Sequence, residues 1–146
     1  MKKILKFLTI LLPWFIGGLI FNNNQLFYKS LNKPFFAPPG WLFAIIWPIL
    51  YILIALSIYK INNKDKNYLK ALIINYFSNQ IFSFLFFTLK SPFLALIDTI
   101  IVLISSLYLY LESKKDNQTS ANLLIPYIIW NTFATILIIS IYLLNI

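Results

Sequence analysis

Asn75, Asn79, Phe82 and Phe86 recur at i, i+4, i+7 and i+11, a spacing that sets all four on one face of a helix. Two amides facing lipid would go unsatisfied, so this stripe is expected to face the interior of a bundle. A later stretch repeats the pattern with Tyr127, Trp130, Asn131 and Ala134, and the alanine leaves room where a larger side chain would fill it. Trp47 and Tyr51 stand one helical turn apart in an earlier stretch. Together these residues describe a cavity with aromatic walls and a few polar groups, which is how sites for flat apolar ligands are built. The same residue types also glue membrane helices together, or form interfacial belts, with no ligand involved. Both readings stand at this level.

Other chemistry is largely excluded by residue type. Cysteine, histidine and arginine are absent, and the one methionine is Met1. That removes disulfides, zinc sites, Cys nucleophiles and His general bases, and it leaves tyrosine as the one usual axial ligand for a haem. All 12 cations are lysines, point charges that do not grip a phosphate with a planar fork. Three glycines make no phosphate-binding loop. Asp98 is the acid inside an apolar stretch, and an intramembrane carboxylate can mark a proton or ion path. It also lies under two turns from the start of its helix, where the helix dipole and interfacial water accommodate a charge in a structural role. Asp65, Glu112 and Asp116 fall in polar stretches, so no pair of acids shares a site for general acid–base work.

These residues must be positioned by membrane helices. The chain is 60% hydrophobic and 11% charged, against about 25% charged in an ordinary soluble domain. A bilayer core of about 30 Å needs about 20 apolar residues in a helix. Five segments meet that requirement, at about 4–21, 41–58, 68–89, 92–111 and 121–144, with polar connections between them that include Glu112 to Ser120. The expected architecture is all-α, a single integral membrane bundle of five transmembrane helices over 1–146. The first segment follows Lys2, Lys3 and Lys6 as a signal peptide would, but no small-residue cleavage pattern follows, and it is read as a retained span. The loop 22–40 carries Phe27, Tyr28, Pro34, Phe35, Phe36, Pro38 and Pro39 and ends at Trp41, a composition for a stiff apolar flap over the bundle mouth. Nine lysines (2, 3, 6, 60, 64, 66, 70, 114 and 115) fall on the amino-terminal side of such a bundle and three (29, 33 and 90) on the other. That asymmetry predicts a cytoplasmic amino terminus in the cell membrane. The net charge of +8 is thus topogenic, with no groove-facing basic element for nucleic acid.

The residues reached so far resemble the TspO/MBR family, the translocator or tryptophan-rich sensory proteins. Phe27-Tyr28-x-x-Leu31-x-Lys33-Pro34-x-x-x-Pro38-Pro39-x-Trp41, followed by Trp47-x-x-Leu50-Tyr51, is similar to the family's loop and second-helix pattern. Asn75, Asn79, Phe82, Phe86 and Phe87 stand where the family has Q-x-x-x-N-x-x-W-x-x-x-F-F, and Ala95-Leu96-Ile97-Asp98 resembles its A-L-x-D. Leu123-Leu124-x-Pro126-Tyr127-x-x-Trp130-x-x-Phe133-Ala134-Thr135 continues the resemblance to about Tyr142. The family's loop Trp is Phe27 here, its third-helix Gln and Trp are Asn75 and Phe82, and a fifth-helix Asn is Ile138. The sterol motif of animal members needs a basic residue near the carboxyl end, and none follows Lys115.

The resemblance implies a homodimer of five-helix bundles with a ligand pocket beneath the first loop. It implies ligands such as protoporphyrin and haem, or synthetic benzodiazepine-type and isoquinoline carboxamide compounds, with no obligatory cofactor and no metal site. Residue by residue, it carries ligand contacts to Tyr28, Pro38, Pro39, Trp41, Trp47, Tyr51, Asn79, Phe82, Phe86, Tyr127, Trp130 and Ala134. The functional expectation is a tetrapyrrole-binding membrane receptor or sensor. The alternatives are an enzyme for light- or oxygen-dependent porphyrin breakdown, in which the Trp cluster takes part in redox steps, and a transporter of porphyrin-like solutes coupled through Asp98.

Overall fold

A computed structural model describes residues 1–21 and 25–146; residues 22–24 of the expected loop lie outside the described residues. The chain is an all-α integral membrane protein. Its helices are α1 (Lys2–Leu11), α2 (Ile16–Ile20), α3 (Gln25–Ser30), α4 (Gly40–Lys60), α5 (Lys66–Ser83), α6 (Pro92–Asp116), α7 (Gln118–Leu123) and α8 (Ile125–Leu144). Five spans among the described residues are long and apolar enough to cross a bilayer: Lys2–Ile20, Gly40–Lys60, Lys66–Thr88, Pro92–Asp116 and Gln118–Leu144. Their outward faces are apolar, as in the stripe Ile97, Ile100, Ile104, Leu107 and Leu111 down α6.

The first span is not one continuous helix. Pro13 has no N–H to donate, and Leu12–Phe15 tighten into a 3-10 turn between α1 and α2. Two side chains one turn apart on α5 satisfy the backbone there. Tyr76 Oη donates to Pro13 O at 3.0 Å, and Gln80 Nε2 donates to Trp14 O at 3.1 Å. Gln80 Oε1 in turn accepts from Gly17 N at 2.7 Å. The backbones come so close here that a Cβ on Gly17 would meet Gln80 O at 2.7 Å.

The fourth span exceeds its expected end at Leu111. Glu112 to Asp116 are helical, and Asn117 separates α6 from α7. The apolar run measures the bilayer, not the helix. Beyond the bilayer, α6 is sustained by Lys115 Nζ on Glu112 Oε1 at 2.6 Å, while the Asn117 side chain caps α7 through Ser120 N at 3.1 Å. Asp116 accepts from Asn62 N and Asn63 N at 2.8 and 3.1 Å, which ties this end to the loop after α4. Small residues let helices approach elsewhere: Ser57 and Ser120 exchange hydroxyl-to-carbonyl bonds of 2.9 and 2.8 Å between α4 and α7. α5 closes in a π-helical turn over Phe84–Thr88, with Leu89 N bonded to Phe84 O at 2.9 Å.

Candidate ligand cavity

The inward faces of α2, α4, α5, α6 and α8 leave a cavity of about 330 Å³, at the lower end of the range for ligand pockets. Aromatic rings form a large part of its walls. Phe82 and Phe86 stack with centroids 5.6 Å apart and planes at 15°, as their one-turn spacing on α5 allows. Trp47 tilts against Tyr51 at 5.6 Å on α4, and Trp130 meets Phe43 at 5.8 Å and Phe133 at 5.3 Å. Pro48 interrupts the helical bonding of α4 at Ala44, and both residues lie on the cavity wall.

Of the twelve residues expected at a site, Tyr28, Trp47, Tyr51, Asn79, Phe82, Phe86, Trp130 and Ala134 line the cavity. The other four do different work. Trp41 is 63% exposed and is not among the residues that line the cavity. It stands in the first turn of α4, one turn before Ala44 and two before Pro48, both of which line the wall. Pro38 presents its carbonyl to Tyr28 Oη at 2.8 Å, and Pro39 leads the chain into α4 at the N-cap. Burial pushes the Tyr28 phenol above its usual range, so its hydroxyl remains a donor to Pro38. Tyr127 is fully buried behind the wall, where it serves a polar network.

That network crosses the bundle. Asn75 Nδ2 donates to Ser105 Oγ at 3.0 Å and to Val102 O at 3.2 Å on α6. Tyr127 Oη donates to Asn75 Oδ1 and accepts from Asn79 Nδ2, both at 3.1 Å. Asn79 Oδ1 accepts from Tyr51 Oη at 3.3 Å and from Gln80 Nε2 at 3.2 Å, and Gln80 completes the chain to Gly17. Both acceptor positions of Asn79 are thereby occupied, and one N–H of its amide is left over. Asn75 and Asn79 share the expected face, but Asn75 is spent on helix packing. Gln80 is a polar wall residue that the sequence pattern passed over, as are Gln25, Ser83 and Thr99. The signal of Gln80 was modest: a further amide in α5, one residue past the stripe.

Two further donors are buried without an acceptor, Trp130 Nε1 and Asn131 Nδ2, both on wall residues of α8. Asp98 lies outside the wall, with Oδ1 accepting from Ser78 Oγ at 2.5 Å and Oδ2 without a partner. Among the described residues no group of His, Cys, Asp or Glu could hold a metal ion.

The comparisons with known proteins agree with this frame. The sequence profile of the TspO/MBR family matches residues 6–144. The chain is 40% identical to the tryptophan-rich protein TspO of Bacillus cereus, over 99% of each chain. It is 34% identical to the protein of the same name from Archaeoglobus fulgidus, over 99% of this chain and 97% of that one. It is 28% identical to the tryptophan-rich sensory protein of Cereibacter sphaeroides, over 74% of this chain and 70% of that one. A match that runs through all five spans means that the chain belongs to the TspO/MBR family.

Proposed function

We propose that this protein is a membrane receptor or sensor that holds tetrapyrroles such as protoporphyrin and haem in the cavity inside its bundle. The observation that carries the reading is the cavity itself, about 330 Å³ walled by the rings of Trp47, Phe82, Phe86 and Trp130. Flat faces of this kind take up a flat ring by stacking. The Asn79 amide on the wall has one N–H outside the polar network, which favours a ligand that also bears an acceptor. Porphyrin carboxylates meet that description, as do the amide carbonyls of benzodiazepine-type and isoquinoline carboxamide compounds. Tyr28, Trp47, Tyr51, Asn79, Phe82, Phe86, Trp130 and Ala134 are the assigned contact residues.

The chain brings no His, Cys or interior Met to an iron atom, and the hydroxyls of Tyr28 and Tyr51 are engaged by Pro38 and Asn79. Binding should therefore not depend on iron. Metal-free protoporphyrin and haem are expected to quench Trp fluorescence with similar affinity in a detergent titration; a large preference for haem would overturn the reading. Trp130→Ala should weaken protoporphyrin binding by about 1–3 kcal/mol, and unchanged affinity would reduce Trp130 to a packing residue. A cytoplasmic amino terminus and a homodimer, the latter carried over from the family, complete the proposal.

A further inference from the structure

The outer loop is fastened to the last helix by an amide pair. Asn32 N donates to Asn145 Oδ1 at 3.0 Å, and Asn145 Nδ2 donates to the Asn32 carbonyl at 2.8 Å. The side chain of Asn145 thus meets both backbone polar groups of Asn32, as a paired strand would. Asn32 Nδ2 adds a longer bond to Leu144 O at 3.4 Å, while Asn145 Nδ2 also reaches Ile141 O at 2.7 Å, which fixes its amide on α8.

These bonds are directional where neighbouring loop contacts are not. Phe27 on Phe86 at 5.4 Å and Phe36 on Phe133 at 6.2 Å press the loop against α5 and α8, but ring contacts of this kind tolerate sliding. The loop keeps its own shape through other bonds. Tyr28 Oη holds Pro38 O, and Lys33 Nζ donates to the carbonyls of Tyr28, Leu31 and Lys29 at 2.8, 2.9 and 3.2 Å. It can therefore lift as one body. Asn32 and Asn145 are both exposed, so water can take over each of their bonds when it does. Asn145 is the C-cap of the helix that carries Trp130, Asn131 and Ala134, yet it lies outside the cavity wall.

We infer that Asn145 is a positioning residue that latches the outer loop over the cavity and sets the rate at which ligand is exchanged. The inference rests on reading the cavity as the ligand site. Because Asn145 touches nothing in the wall, its loss changes how often the loop opens in free and loaded protein alike. Uptake and release then quicken together while affinity holds.

In lipid nanodiscs, Asn145→Ala should speed hydrogen–deuterium exchange of the backbone amides over 32–37 by about tenfold. Stopped-flow quenching by protoporphyrin should show association and dissociation rates both raised by about 3- to 30-fold, with Kd held within about twofold. Asn145→Asp keeps the acceptor for Asn32 N–H but loses the donor, and should fall between. The chain has no cysteine, so Asn32→Cys combined with Asn145→Cys creates a unique thiol pair. Joining it with a reducible bis-thiosulfonate bridge should slow protoporphyrin exchange by about tenfold or more, with recovery on reduction. Unchanged amide exchange in Asn145→Ala, or a bridged protein that exchanges protoporphyrin as fast as the reduced one, overturns the latch. A wild-type protein that takes up no protoporphyrin would sink the ligand reading instead, and the amide-exchange measurement would still decide the latch.

Discussion

Asp98 carries one hydrogen bond, from Ser78, and its second oxygen is buried without a partner. No lysine pairs with it among the described residues. A carboxylate in that setting is held by one hydroxyl against a large desolvation cost, and removing its charge should not hurt the fold. Asp98→Asn, which preserves shape and an acceptor for Ser78, is expected to leave thermal stability in detergent unchanged or slightly raised. Ser78→Ala strands the carboxylate and should cost about 1–3 kcal/mol. A marked destabilisation by Asp98→Asn would mean that the charge itself is needed. Because Asp98 stands outside the cavity wall, neither change should alter protoporphyrin affinity. Individual residues were unevenly readable from the sequence. Asn79, Phe82 and Phe86 announced themselves by spacing. Trp41 came in with a motif although its place in the first turn of α4 leaves it largely exposed, and Tyr127 came in as a wall residue although its hydroxyl ties the amides of α5 together from behind.

The spans themselves were plain, because hydropathy fixes them almost independently of packing. What hydropathy does not report is how a helix breaks. Pro13 was visible, but the reply to it stands 63 to 67 residues away, in Tyr76 and Gln80. A single sequence does not pair such distant groups. The break matters for the cavity, since it lays Gly17 and Gly18 along the wall in two different environments. A Cβ on Gly17 would press on the backbone and side chain of Gln80 at 2.7 and 2.8 Å, whereas one on Gly18 meets nothing within 4 Å. Gly17→Ala should therefore push α2 off α5 and lower stability by about 1–3 kcal/mol, the range for overpacked interiors. Gly18→Ala should stay within about 0.5 kcal/mol. Thermal unfolding of the two variants side by side in one detergent checks the contrast, and equal stabilities would show that the α2–α5 contact yields without cost.

The two ends of the bundle differ in charge and in closure, and the proposed orientation rests on that difference. The Asn32–Asn145 pair brings the first loop and the carboxyl end of α8 to one end of the bundle, as five crossings require. At the other end Lys6 stands over the Tyr59 ring at 5.4 Å, and Asp116 ties the start of the α4–α5 loop to α6. The acids at that end are engaged locally: Glu112 by Lys115, Asp116 by two backbone amides and Asp65 as the cap of α5. They offset little of the lysine excess, which under the proposed topology retains this end in the cytoplasm. A cysteine-free chain makes the orientation directly measurable. In intact cells, a membrane-impermeant maleimide should label Phe36→Cys on the outer loop and spare Lys64→Cys. After the membrane is opened, both should react. Labelling of Lys64→Cys alone in intact cells would invert the molecule, placing the latched mouth of the cavity on the cytoplasmic side and requiring its ligand to arrive from within the cell.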